Sequence, residues 1–582
     1  MKKELETLRA AMSRAGIDAY LIPTTDFHGS EYVNPYFKCR QYLSGFTGSA
    51  GTLLVTGAWA GLWTDGRYFL QAAAQLEGSG ITLMKEGEPG VPAVYEYLSE
   101  NLPEGSSLGF DGRVVSCREA EGFEAKYRLC TDVDLAGEVW AGRPVLMPSR
   151  IYPLSLDVTG ESAESKLRRI RNAVKEAGAD YHLLTSLEDI AWIYNLRGND
   201  IKNNAVFYSF ALIEEKGDRL YVLDESLAHS EAAGNLPETT EILPYFQVYD
   251  DVEKLPAGKI LLDRDSVSQA LCRKLPDGVK IIEGRNPSEK MKAVKNQVEI
   301  GCTERAHIKD GAAMTEFICW LKKQMAEGAE LTEMEAAEYA ERCRSRREGF
   351  LQPSFDTIAG YGPDGAIIHY SATEETNQKL KPEGFLLVDS GGQYSDGTTD
   401  ITRTIALGPL TEEMKLHYTL VLKGHISLAT ARFTEGTTGA ELDKLARGPL
   451  LKQGLNYKHG TGHGVGHLLS VHEGPQSISP RGTGCPVLPG MITSNEPGLY
   501  LEGKYGIRLE NEVLCEKGED GLLQFRTVTL CPWEREAIIT ELLSTDELKW
   551  VDNYHNHVYQ ALKPYLNVEC AKWLQNACGP LI

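Results

Sequence analysis

Apolar positions near the start of the chain recur at helical spacing: Leu5, Leu8 and Met12 alternate with charged residues. The pattern then changes. Leu8 to Ile22 reads LRAAMSRAGIDAYLI, and Ile170 to Leu184 reads IRNAVKEAGADYHLL. Each is a basic amphipathic helix, an Ala-Gly stop (Ala15-Gly16, Ala177-Gly178) and a short apolar strand. Glycine suits the left-handed position that closes a helix. Each copy runs on to an aromatic stretch ending in glycine, Tyr42 to Gly45 and Trp192 to Gly198. The spacing predicts two related α/β domains in tandem.

Breakers divide the chain. Pro144, Pro148 and Pro153 mark Gly142 to Pro153 as a linker. Lys254 to Arg285 alternates short apolar strands with Pro and Gly. Asn286-Pro287-Ser288 precedes a helical pattern expected over Glu289 to Lys309. The expected domains are therefore 1–150, 151–287 and 288–582, the last with a helical extension. A capping box, Ser544 to Glu547, opens that extension. Trp550, Tyr554 and Val558 form an apolar helix face there, read as core or interface.

With 582 residues, several cores are required. The net charge of −22 disfavours nucleic acid as a partner. No apolar run is long enough to span a bilayer, and no signal-peptide core follows Met1-Lys2-Lys3, so no membrane association is expected. The twelve cysteines lack C-x-x-C spacing. That fits reduced, buried thiols in a cytoplasmic protein.

Polar density concentrates in three stretches of the third domain. Leu386-Leu387-Val388 leads into Asp389, glycines follow, and a β-branched strand starts at Asp400. His459-Gly460-Thr461-Gly462-His463-Gly464-Val465-Gly466-His467 precedes His472. Ser494-Asn495-Glu496-Pro497-Gly498 precedes Arg508 and Glu510. Glu510 follows Ile507 and Leu509 in a strand pattern, where a buried carboxylate needs a compensating cation. Convergence of Asp389, Asp400, Glu496, Glu510 and His463 could hold two divalent ions roughly 3.5–4 Å apart. Oxygen-rich ligation with one imidazole suits manganese and tolerates cobalt or zinc. Spacing alone leaves open that these acids are merely solvated in turns.

These segments resemble the catalytic domain of the metallopeptidase family that includes methionine aminopeptidase, prolidase, creatinase and aminopeptidase P. They are most similar to the long, three-domain aminopeptidases P. Ser354 to Ile358, Ile367-Ile368-His369-Tyr370, Asp396 to Thr404, the His459 block and Trp63 to Tyr68 carry the likeness, from about Leu8 to Ile539. It implies a pita-bread α/β catalytic domain after two creatinase-like domains. It implies Asp389, Asp400, His463, Glu496 and Glu510 as metal ligands, with Glu496 also the base that yields a metal-bridged hydroxide. His369 and His472 would stabilise the tetrahedral intermediate. Arg67, His459, Tyr500 and Arg508 would contact substrate or support the site. The implied reaction removes an N-terminal residue that stands before proline, in peptide substrates, by a homodimer.

Each residue also has a plainer reading. His369 beside Tyr370 could be a core histidine, and Arg67 could be paired with Asp65. His417, His425, His467, His555 and His557 are left out of the site. Gly460 to Gly466 lacks the strand-turn-helix context of a dinucleotide loop, and Gly45 to Gly51 lacks a phosphate-loop lysine. A dipeptide-specific prolidase is the nearest rival function. A metal-free peptide-binding protein is the rival of another class.

Overall fold

The computed structural model describes residues 3–581. The chain forms two compact units. One comprises residues 1–156 and 161–289, the other residues 157–160 and 290–582.

The first unit contains two six-stranded sheets. In the first, β1 (Ala19–Pro23), β2 (Thr52–Thr56), β3 (Ala60–Thr64), β4 (Thr82–Lys85), β5 (Ser107–Gly109) and β6 (Arg128–Cys130) lie in the order β4-β3-β2-β1-β5-β6. The second sheet repeats this order: Thr240–Pro244, Asp218–Val222, Ser209–Glu214, Tyr181–Leu184, Gly258–Leu262, Val279–Glu283. The strand directions repeat as well. The first three strands of each sheet in chain order pair antiparallel, and the remaining pairings are parallel. The sequence repeat is therefore a fold repeat. Helices Lys3–Ala15 and Ala163–Glu176 precede the equivalent central strands. Gly16 (φ +66°) and Gly178 (φ +74°) close them in the left-handed conformation that glycine adopts without strain.

The second unit carries the site. A three-stranded antiparallel sheet orders Ile358–Tyr361, Phe385–Ser390 and Ile401–Ala406. A six-stranded sheet orders Arg432–Phe433, Leu523–Thr527, Asn511–Lys517, Ile492–Asn495, Gly462–Gly464 and Glu473–Ile478. Helices Gln297–Ala326 and Glu333–Ser345 bury Phe317, Leu321, Ala336 and Ala340 against Leu386, Val388 and Ile405 of the small sheet. Leu428, Leu442 and Ala446, from helices Glu412–Ala429 and Gly439–Leu451, pack on Val513, Cys515 and Leu523 of the large one. This is the pita-bread arrangement, preceded by two creatinase-type modules.

Two expectations are corrected. Glu289 to Lys309 is not one helix: Pro287–Ala293 ends, and a 30-residue helix starts at Gln297. The break is dictated by Asn296, which caps the Val298 and Glu299 N–H groups while Glu299 caps its own N–H in return. Nor does Glu510 share one strand with Arg508. Tyr505–Arg508 ends at Arg508 and a new strand starts at Asn511, so Glu510 sits at the junction.

The C-terminal helix Thr545–Leu562 is core. Val551, Tyr554, Val558 and Leu562 are buried with Trp533 and Tyr418. All twelve cysteines are free thiols. Among the described residues no helix is long and apolar enough to cross a membrane.

Candidate metal centre

The small sheet sets the first half of the site. Its register pairs Asp389 with Thr402 and with Ile358. Asp389 lies at the end of a fully buried strand, and Asp400 lies just before the next. The backbone N–H of Asp400 donates to Glu512 Oε1 (2.8 Å).

The large sheet sets the second half. The His463 N–H donates to Ser494 Oγ (3.0 Å), and the Glu496 N–H donates to the Thr461 carbonyl (2.8 Å). His463 Nε2 then lies 3.4 Å from Asp400 Oδ2 and 3.5 Å from Glu496 Oε1. Ligand atoms of Asp400, His463 and Glu510 all lie within 4.8 Å of one another. His463 Nδ1 is 3.0 Å from the Gly464 carbonyl, which can only accept, so the proton is on Nδ1. Nε2 is left facing carboxylates, where only a proton or a cation is stable. Without a cation it holds the proton: burial opposes the charge, but Asp400 and Glu496 push the imidazole up to about 10.

The halves are joined at Thr402, Arg508 and Glu510. Arg508 donates from Nη2 (2.6 Å) and Nε (3.2 Å) to Asp389 Oδ2, and from Nη1 to the Tyr500 hydroxyl (2.7 Å). That hydroxyl lies 2.9 Å from His459 Nε2. His459 Nδ1 is 3.9 Å from Glu496 Oε2. His472 sets its ring edge-on to His463, with centroids 4.4 Å apart. His369 lies on the loop after Gly362–Ala366. The next residue, Tyr370, packs with Ile358, Leu387 and Tyr500. Arg67 is in the other unit, where Asp65 holds it through Nε (2.9 Å) and Nη2 (2.7 Å), with Glu31 at 3.8 Å.

The electrostatics fit a divalent pair. Burial pushes the Asp389 carboxyl up, against Arg508, with Asp400 adding to the rise. Burial and the neighbouring carboxylates push Glu510 far up. Burial raises Glu496 to about 6, against His463 and Arg508. Carboxylates this close cannot all ionise without added positive charge. Asp389 Oδ1 is buried with no hydrogen-bond partner, although Oδ2 accepts two hydrogen bonds from Arg508. A buried unsatisfied carboxylate oxygen aimed into a cluster of acids is the mark of a cation ligand.

Several supporting residues escaped the sequence reading. Thr402 Oγ1 donates to Glu510 Oε2 (2.7 Å). Arg403 donates to the Glu510 carbonyl (2.6 Å) and to Asn511 Oδ1 (2.9 Å). Glu512 meets His307 at 3.2 Å behind Asp400. The available signal was spacing: Thr402 and Glu512 each follow a proposed ligand by two residues.

Acids and one imidazole drawn from two sheets about a common point define the class of carboxylate-rich cation centres. The chain belongs to metallopeptidase family M24, which residues 301–517 match. Residues 4–145 and 142–299 each match the creatinase/prolidase N-terminal domain, and 521–581 match the C-terminal region of peptidase M24. A probable Xaa-Pro aminopeptidase P of Laccaria bicolor is 37% identical over 608 residues, spanning 100% of this chain and 93% of the relative. The crystal structure of an X-prolyl aminopeptidase from Caenorhabditis elegans, described as cytosolic with a di-nuclear active site, superposes with a TM-score of 0.95. It is 34% identical, covering 100% of this chain and 99% of that one. An Xaa-Pro dipeptidase from Bacillus anthracis shares the fold over 64% of this chain and 99% of its own, at 24% identity and a TM-score of 0.51.

Proposed function

We propose that this chain is an aminopeptidase that hydrolyses the bond between an N-terminal residue and a following proline in peptides. We assign two divalent ions to Asp389, Asp400, His463, Glu496 and Glu510. The observation that carries this reading is the convergence of Asp400, His463 and Glu510 beside the orphaned Asp389 oxygen. Manganese is the preferred ion on ligand chemistry, with cobalt or zinc as substitutes.

When bound, such a pair supplies Lewis acidity and makes a water acidic enough to serve as nucleophile near neutral pH. The chain's residues do the rest. Glu496 is the most exposed of the four carboxylates, so it is the one that can take the water's proton. His472, against His463, and His369 donate hydrogen bonds to the scissile carbonyl oxygen as negative charge develops there. Arg508 holds Asp389 in place and opposes the rise that burial gives its carboxyl. Its second contact runs through Tyr500 to His459, which we assign to the pocket for the proline ring, so that pocket and Asp389 share one hydrogen-bonded chain. A prolyl bond has no N–H, so recognition must come from such a pocket rather than from an amide donor. The family resemblance assigns Arg67 to substrate, and its partly exposed guanidinium is held by Asp65.

Aminopeptidase rather than dipeptidase is favoured by the relatives that match from end to end: the L. bicolor and C. elegans proteins, which span 100% of this chain, carry the aminopeptidase name. A homodimer and a cytosolic location complete the proposal. The first follows the family resemblance, and the second follows the free thiols and the C. elegans likeness.

Metal-stripped protein is to be given Arg-Pro-Pro with and without manganese, and released arginine measured. Manganese-dependent release, absent for Arg-Ala-Ala, is expected. Cleavage of Arg-Pro but not of Arg-Pro-Pro would convert the reading to prolidase. Sedimentation equilibrium at micromolar concentration should give twice the chain mass.

A further inference from the structure

The Glu473 side chain is 2% exposed and lies between two lysine ammonium groups. Lys295 Nζ is 2.7 Å from Oε1 and Lys292 Nζ is 2.6 Å from Oε2. Both lysine side chains are themselves buried, at 2% and 4% exposed. Lys292 is in the short helix Pro287–Ala293 and Lys295 in the break after it. The Lys295 N–H is anchored on the Gly490 carbonyl (2.9 Å), and its Nζ also donates to the Lys292 carbonyl (3.0 Å). The Lys295 ammonium is therefore fixed by backbone as well as by the carboxylate.

We propose that Lys292 and Lys295, acting through Glu473, are positioning residues for His472. The proposal rests on the assignment of His472 as a donor to the scissile carbonyl. Glu473 opens the strand Glu473–Ile478. His472 is the bend residue that leads into this strand, so clamping the Glu473 side chain and pairing its backbone hold the peptide unit from which the His472 side chain departs. The His472 ring stands edge-on against His463 of the metal centre. The strand partner confirms the constraint: Glu473 pairs with Gly464 beside a bulge at His463. A Cβ at Gly464 would come within 2.3 Å of the Glu473 carbonyl oxygen, and one at Gly466 within 3.1 Å of Glu473 Oε2. Gly464 and Gly466 thus make room for Glu473.

The charge balance supports a geometric role. One carboxylate and two lysine side chains are all desolvated. Burial opposes the Glu473 charge, yet Lys292 and Lys295 hold its pKa below the usual carboxylate value. Apolar residues of the same volume are often as stable as such an ion cluster. What a rigid ion cluster supplies instead is a fixed direction for the backbone it anchors.

The test is a double-mutant cycle on the metal-loaded, full-length enzyme. Lys292→Met is chosen because it keeps the stem and leaves Glu473 and Lys295 as a neutral pair. We expect kcat on Arg-Pro-Pro to fall about ten- to a hundredfold, as for a donor displaced by about an ångström. KM should change less than about twofold, with metal content unchanged and Lys292→Arg recovering part of the loss. Combined with His472→Ala, Lys292→Met should add no further loss. A fully additive loss would overturn the proposal while leaving the His472 assignment intact. Metal loss in folded Lys292→Met would overturn it in favour of a merely structural role. Near-normal kcat in His472→Ala would overturn both readings. If Lys292→Met does not fold, Lys295→Gln takes its place in the cycle with the same outcomes.

Discussion

Thr402 and Glu510 are latched in both directions. The Thr402 hydroxyl donates to Glu510 Oε2 at 2.7 Å, and the Glu510 N–H donates to the Thr402 carbonyl at 3.2 Å. Thr402 pairs with Asp389 across the small sheet, and Glu510 leads into the large one. One residue pair thus fixes the separation of carboxylates that arrive from different sheets.

Thr402→Val keeps the shape and removes the hydroxyl. Glu510 then loses its orienting donor but not its backbone tie. Outer-shell changes of this kind typically lower metal affinity about 10- to 100-fold. Manganese titration of stripped protein should show that loss with an unchanged circular dichroism spectrum. Unaltered affinity would mean that the backbone bond alone orients Glu510.

Glu496→Gln tests the base. The amide keeps one oxygen for ligation but cannot take a proton. Activity should fall by at least about 10²–10⁴-fold, the usual worth of a general base. Folding should be untouched, because the Glu496 N–H bond to the Thr461 carbonyl survives the change and the amide oxygen can still accept from Ser494 Oγ. Near-normal turnover would remove Glu496 from the role.

The tandem repeat was legible because helix, glycine stop and strand recur within one contiguous stretch, and Gly16 and Gly178 adopt the conformation that stop requires. The proposed ligand set rests on family likeness, not spacing. Asp389 and Asp400 are brought together by a hairpin whose bend the sequence only suggests, and Glu510 approaches them at a strand junction that alternation disguised as one continuous strand. The helix break at Asn296 was announced by its own capping box, which the longer apolar periodicity masked. The roles of Arg403 and Tyr554 depend on contacts across more than a hundred residues, and no local pattern encodes those.

The C-terminal extension should be indispensable. The Tyr554 hydroxyl donates to the Cys531 carbonyl (3.0 Å) and accepts from the Cys531 N–H (3.2 Å) and from Arg403 (3.2 Å). Arg403 in turn holds the Glu510 carbonyl. Tyr554→Phe should destabilise the catalytic unit by about 1–3 kcal/mol, the cost of leaving buried partners unsatisfied. Ending the chain at Ser544 would expose Trp533, Tyr418 and their neighbours and should leave no soluble catalytic unit. Thermal unfolding and expression of the truncated chain check these two outcomes. A stable, active truncation would show that the tail is an accessory.

Buried neutral histidines should make the catalytic unit acid-labile. Burial, reinforced by Arg403, pushes His425 down to about 3, and burial with Arg535 and Arg403 does the same for His555. The His555 Nε2 accepts the Trp533 N–H at 3.0 Å, which requires the neutral ring. In the unfolded chain each imidazole titrates near about 6.5. Below that value the unfolded state takes up protons that the folded state refuses. Their contribution is therefore complete above about pH 6.5 and is lost progressively as pH falls toward the folded values. At pH 5 each should have lost about 2 kcal/mol. His555→Gln keeps an acceptor for Trp533 and cannot be protonated. It should be less stable than the parent at pH 7, and that deficit should shrink by about 2 kcal/mol at pH 5, measured by denaturant unfolding at both pH values. A deficit that stays constant between them would mean that His555 takes up its proton without unfolding.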